Sequence, residues 1–210
     1  MSLLTNWGYM LPDLESLPDM LSENEFDVFS ANKYAGDRRI PAEIRAACSA
    51  IREYVGWHLY PSAMCRMEEY ILHQDGRVKR SGNDLIIQLP AKFVTGITSV
   101  TIGEGETTDY AMSQNGILHV FDVNPWMLSR KTKITVVYTA GLDIKMMDGI
   151  QELIAHRVTH ALASSNGITS EAAGGVSVTY NANWINSARA TALPDDNKEV
   201  LAPFVVRGVF

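Results

Sequence analysis

The stretch Arg39-Ile40-Pro41-Ala42-Glu43-Ile44-Arg45-Ala46-Ala47-Cys48-Ser49-Ala50-Ile51-Arg52-Glu53-Tyr54-Val55-Gly56-Trp57-His58 carries the clearest periodicity in the first half of the chain. Ile44, Ala47, Cys48, Ile51, Tyr54 and Val55 recur at three- and four-residue spacing, which lines them along one face of an α-helix. Glu43, Arg45, Arg52 and Glu53 fall off that stripe. Pro41 suits the first helical position, where its missing N–H would have had no intrahelical acceptor anyway. Gly56 stops the helix; Trp57 then closes the core and His58 packs beside it. A helix with one apolar face needs a partner for that face, so the next question is which other element supplies one.

The matching element lies about ninety residues on. Ile150, Leu153, Ile154, Val158, Ala161 and Leu162 form the stripe of a helix from about Ile144 to Ser165, with Gly167 suited to its C-terminal cap. Between the two helices, the composition turns β-branched. Leu85–Leu89, Ile97–Ile102 and Ile134–Tyr138 read as strands, separated by the turn signals Asp75-Gly76, Ser81–Asp84, Gly103–Gly105 and Asn115-Gly116. The spacing therefore predicts an α+β protein: a small helical core of two main helices plus short terminal helices, with an inserted antiparallel β module, as a sheet or a sandwich, at about residues 62–140.

Further out the signals are local. Ser22 and Glu25 match a capping box opening a short helix through about Phe29. Residues before it, with Pro12 and Pro18 among scattered Leu and Met, read as an extended arm. Lys33–Asp37 is a turn. After the second helix, Gly174-Gly175 precedes the alternating Val176–Tyr180 strand, and Asp195 or Asp196 caps a last helix through Leu201 that Pro203 ends. The tail Phe204-Val205-Val206-Arg207-Gly208-Val209-Phe210 is apolar except for Arg207. Such a tail is expected to be covered, either by a partner or by folding back as an edge strand.

Composition narrows the function. The chain has 210 residues and a formal net charge of −6, with 46% apolar and 20% charged residues. A protein that grips DNA by its phosphates is usually basic, so tight nucleic-acid binding is not expected. Cys48 and Cys65 stand in no CxxC pair and read as buried thiols of a protein made in a reducing compartment. Met1–Trp7 has no basic, apolar signal-peptide pattern, and no stretch reaches the roughly 20 apolar residues of a membrane span. The expectation is a soluble, non-secreted protein with no membrane contact.

The search for chemistry is largely negative. His156 and His160 stand four apart on the second helix, the spacing of zinc peptidases, but Arg157 occupies the place of their general base and no third ligand follows. They read as helix-surface or interface residues. A metal-dependent hydrolase built on this pair is the enzyme alternative, to be tested by metal analysis of the purified protein. His73 and His119 have no ligand neighbours at useful spacing. No GxSxG or GK[ST] pattern is present, and Gly103-Glu104-Gly105-Glu106 would repel a phosphate. No catalytic residue, cofactor or metal is therefore assigned. The basic run Arg77-Val78-Lys79-Arg80 reads as a hairpin-like loop that is solvated or touches DNA or an acidic partner.

Several stretches resemble tailed-bacteriophage head–tail connector (adaptor) proteins. Arg39–His58 is similar to that family's first helix, closed by a run like A-I-x-x-Y-x-G-W-H. Ile134–Gly141 resembles the V-x-Y-x-A-G strand leading to its second core helix. Gly167–Tyr180 and Leu193–Phe204 are also like connectors. The similarity spans about residues 25–210. It implies a connector domain over 23–202, followed by the tail 203–210; the arm 1–22 matches nothing in that family and its role stays open. It implies a homo-oligomeric ring, usually of twelve subunits, in the virion neck below the portal protein. A stopper or tail-completion protein would bind the far side, and DNA would pass without specific binding. The subunit would be made in the bacterial host cytoplasm and have no enzymatic activity. Another neck component is the alternative within the same class. Phe204, Arg207 and Phe210 in the tail, with Arg77, Lys79 and Arg80, are the expected partner-interface residues.

Overall fold

The computed structural model describes residues 2–71, 77–124, 128–129, 131–164, 170–173, 176–179 and 195–206. The chain divides into two compact units. The first comprises Met1–Pro18, Gly56–Ile144 and Phe204–Phe210; the second comprises Asp19–Val55 and Lys145–Pro203.

The second unit holds the helices. Helix α1 (Glu23–Phe29) opens on the expected capping box: the Ser22 hydroxyl accepts the Glu25 N–H, and the Glu25 carboxylate accepts the Ser22 N–H at 2.7 Å. Helix α2 (Ile40–Val55) buries Ile44, Ala47, Cys48, Ile51 and Val55 as the spacing predicts, while Tyr54 of the same stripe is half-buried. Arg52, placed off the stripe by spacing, is buried as well. It stands one turn beyond Cys48, on the same side of the helix. Helix α3 (Asp148–Ser164) packs against α2 and buries Ile150, Leu153, Ile154, Val158 and Leu162. It begins later than Ile144: Ile144–Met146 is a separate 3-10 turn, and the first α-type bond runs from Gln151 N–H to the Met147 carbonyl. Gln151 is buried on the same helix, and its amide donates to the Met20 carbonyl at 3.1 Å. Helix α4 (Asp195–Leu201) also packs on α3, and a 3-10 turn at Ala202–Phe204 follows it. Strands β11 (Ser170–Ala173) and β12 (Val176–Thr179) pair antiparallel.

The first unit is built of two antiparallel sheets. The larger has the order β1-β2-β3-β10-β6-β7, from β1 (Leu3–Leu4), β2 (Tyr9–Leu11), β3 (Ala63–Tyr70), β6 (Val94–Ile102), β7 (Gly105–Thr107) and β10 (Lys133–Ala140). The smaller has the order β4-β5-β9-β8, from β4 (Val78–Ser81), β5 (Asp84–Gln88), β8 (Tyr110–Met112) and β9 (Ile117–Val120). Strand β10 is central and alternates cleanly: Ile134, Val136, Tyr138 and Ala140 are buried, and the residues between them are half-exposed. That alternation is what a sheet with one covered face requires. Among the described residues eight strands, β3 to β10, thus lie between α2 and α3 in sequence, and the fold is α+β with an antiparallel β module.

Two segments differ from their sequence reading. Residues 3–11, read as part of an extended arm, form a hairpin whose second strand pairs Tyr9 with Met67 and Met10 with Arg66 on β3. The cause is burial: Tyr9 and Leu11 both go into the core. The run Val78–Ser81 is a strand, not part of a loop, because it pairs with β5 and buries Val78; the turn comes only at Gly82-Asn83.

Candidate interaction surfaces and the buried polar clamp

The junction after α2 holds a buried, hydrogen-bonded histidine of the first unit. Gly56 takes a left-handed φ of +78°, which releases the chain from α2 and directs Trp57 and His58 inward. Both are fully buried. His58 Nε2 lies 3.1 Å from the Pro61 carbonyl and 3.1 Å from the Ala140 carbonyl. Carbonyls only accept, so Nε2 carries the proton. Nδ1 is then the acceptor, and the Tyr9 hydroxyl donates to it at 2.7 Å. The same hydroxyl oxygen accepts the His58 backbone N–H at 2.9 Å. Tyr9 therefore clamps the N-terminal hairpin to the junction through one residue.

Around this clamp the end of β10 is fitted closely. The Leu142 N–H donates to the Leu59 carbonyl at 2.8 Å. A Cβ at Gly141 would stand 2.3 Å from the Pro61 oxygen, so only glycine fits there. Cys65 and Tyr138 are buried nearby. Burial pushes the Cys65 thiol up to about 12 and raises the Tyr138 phenol well above its ordinary value. The Tyr138 hydroxyl lies beside Cys65 without a hydrogen bond of proper geometry. Both groups stay neutral and shielded from solvent, which makes this a structural polar core and gives no activated nucleophile.

The surface residues singled out by sequence fall at different places. Arg77 is half-buried, and its Nη2 donates to the Trp7 carbonyl at 3.1 Å, a second tie on the N-terminal hairpin. Lys79 and Arg80 are exposed on β4, with Arg80 Nε donating to the Gly82 carbonyl at 2.8 Å. Phe204 is half-buried in its own unit: its carbonyl accepts the Trp57 indole N–H at 2.7 Å, and its ring stacks on Phe93 at 5.6 Å. Arg207 and Phe210 lie outside the described residues, as do His73, Gly167 and the turn signal Asp75-Gly76. Cys48 and Cys65 are free and buried, as the sequence reading has them. His156 and His160 stand on α3 with ring centroids 4.6 Å apart. Among the described residues no group of three or more His, Cys, Asp or Glu is placed to hold a metal ion. No helix of the described residues is long and apolar enough to cross a membrane.

Sequence reasoning missed Tyr9, the hinge of the clamp. Nothing in a two- or three-residue strand signals its partner, and the only hint was an aromatic residue in an otherwise loose segment.

The chain matches no protein-family model and no curated protein. Among solved structures it is similar to a chain of one described as "Neck of empty GTA particle computed with C6 symmetry". The two share 17% sequence identity and a TM-score of 0.44 over 89% of this chain and 98% of that one.

Proposed function

We propose that this chain is a structural neck subunit of a phage-like particle, a head–tail connector that forms a ring below the portal protein and links capsid to tail. One observation carries the reading. The two runs that resemble connector motifs, Ala50–His58 and Val136–Gly141, lie about eighty residues apart, yet they meet through the 3.1 Å contact between His58 Nε2 and the Ala140 carbonyl. His58, Ala140 and Gly141 of these runs thus meet at one junction, held by a hydrogen bond and by a close approach that only glycine allows.

In this reading the subunit does mechanical work. The antiparallel module and the two-helix core form a scaffold, and partners bind at its exposed segments. The exposed basic residues of β4, Lys79 and Arg80, and the tail residues Arg207 and Phe210 are the proposed contacts with portal, neighbouring subunit or stopper. Arg77 and Phe204, each held by a hydrogen bond within its own unit, are proposed together with them. The net charge of −6 favours a channel through which DNA slides, because few counterions would be released on contact. Co-purification with a portal protein, followed by electron microscopy of the complex, tests the reading. A ring on the portal supports it, and a chain that never enters particles overturns it.

A further inference from the structure

The pair His156 and His160 is not used by the proposed assembly role. Both stand on α3, four residues and so one turn apart. Their ring centroids are 4.6 Å apart with 60° between the planes. His156 is exposed and His160 is half-exposed, so the pair can be reached from solvent. In a chelate with about 2.0–2.1 Å from metal to each ring nitrogen, the ring centres stand roughly 3.2 Å from the metal, and a right-angle arrangement sets them roughly 4.5 Å apart. The observed 4.6 Å matches the centre-to-centre spacing of such a right-angle pair.

We propose that His156 and His160 form a labile two-imidazole site for a divalent transition metal of the copper, nickel and zinc class. Imidazole ligands suit these ions, and Cu(II) is expected to bind most tightly by the general affinity order. The objections raised by the sequence concern a catalytic centre: Arg157 replaces a general base, and a third protein ligand is missing. Reversible binding needs neither, since water fills the open positions. Arg157 is the next residue along the helix, about 100° around it, and is half-buried, with Glu43 of α2 as its nearest named counter-charge. Exposed Glu152 stands one turn before His156 and offsets part of that positive field. Burial first, and then the neighbouring His156, hold the His160 imidazolium below its usual range.

The test uses tag-free full-length protein titrated with Ni(II), Zn(II) and Cu(II) by calorimetry, with pulsed EPR on the Cu(II) form. One equivalent should bind, and the EPR should count two imidazole nitrogens. Losing even a supporting partner of a metal ligand costs about 10–100-fold in affinity, so His156→Gln and His160→Gln should each weaken binding at least tenfold. His119→Gln should change nothing, since His119 lies in the first unit beside Asp84. Circular-dichroism melts of the variants establish that they are folded. The proposal is overturned if the double variant binds as well as wild type, if EPR counts a single imidazole, or if His119→Gln is the change that abolishes binding.

Discussion

Tyr9 and His58 exchange two hydrogen bonds in a buried site, so deleting a single oxygen leaves two groups unpaired. Tyr9→Phe should cost about 1–3 kcal/mol, the usual penalty for stranding buried polar groups. Urea unfolding checks this; a variant as stable as wild type would show that the clamp is not holding the hairpin. The thiols give a second residue-scale outcome. With the Cys65 thiol pushed up to about 12 and Cys48 also raised, both by burial, native protein should not react with a thiol reagent at neutral pH. Both cysteines should react after denaturation, and fast labelling in the native state would contradict their placement. At this scale, Trp57 and His58 were legible in the sequence because they follow a strong helix. Tyr9 was not, since residues 9 and 58 are joined only by tertiary packing.

The elements differ in how much of themselves they reveal. Helix α2 was readable because its stripe runs unbroken through sixteen residues from Ile40 to Val55. The start of α3 was misplaced because Ile144–Met146 keeps an apolar-polar pattern while turning in 3-10 geometry. Strands β1 and β2 are too short for alternation to show. Packing of α2 on α3 is tested by Ile51→Ala and Leu153→Ala, each expected to cost about 2–4 kcal/mol as buried large-to-small changes do. Melting temperatures that did not move would remove the helical core from the account. The capping box of α1 is expected to contribute about 1 kcal/mol, read as the loss in Ser22→Ala. Its partner also carries a pH signature. The Ser22 N–H, and then the Ser22 hydroxyl, hold the Glu25 carboxyl below the usual carboxylate range. A depressed carboxyl contributes stability that is present above its unfolded value and is lost as pH falls through the folded one. The deficit of Glu25→Ala should therefore be greatest near neutrality and shrink in acid; a deficit that grew in acid would reverse the assignment.

For the whole molecule, the sequence reading of an α+β chain with an antiparallel module between two main helices matches the structure. The interface residues were less legible, because exposure and partner use leave no periodicity. Phe204 illustrates this: the apolar tail suggests an outward anchor, yet its first residue stacks on Phe93 and accepts a bond from Trp57. The two roles separate by mutation. Phe204→Ala should lower the melting temperature, whereas Arg207→Ala and Phe210→Ala should leave it unchanged and reduce incorporation into particles. The central claim is that the subunit works as a ring on the portal. The most direct measurement is cryo-electron microscopy of this chain co-expressed with a portal protein. The expected result is a closed ring of copies seated coaxially under the portal, its channel open to DNA. A portal purified with no density for this chain, while the chain alone is folded and soluble, would contradict it.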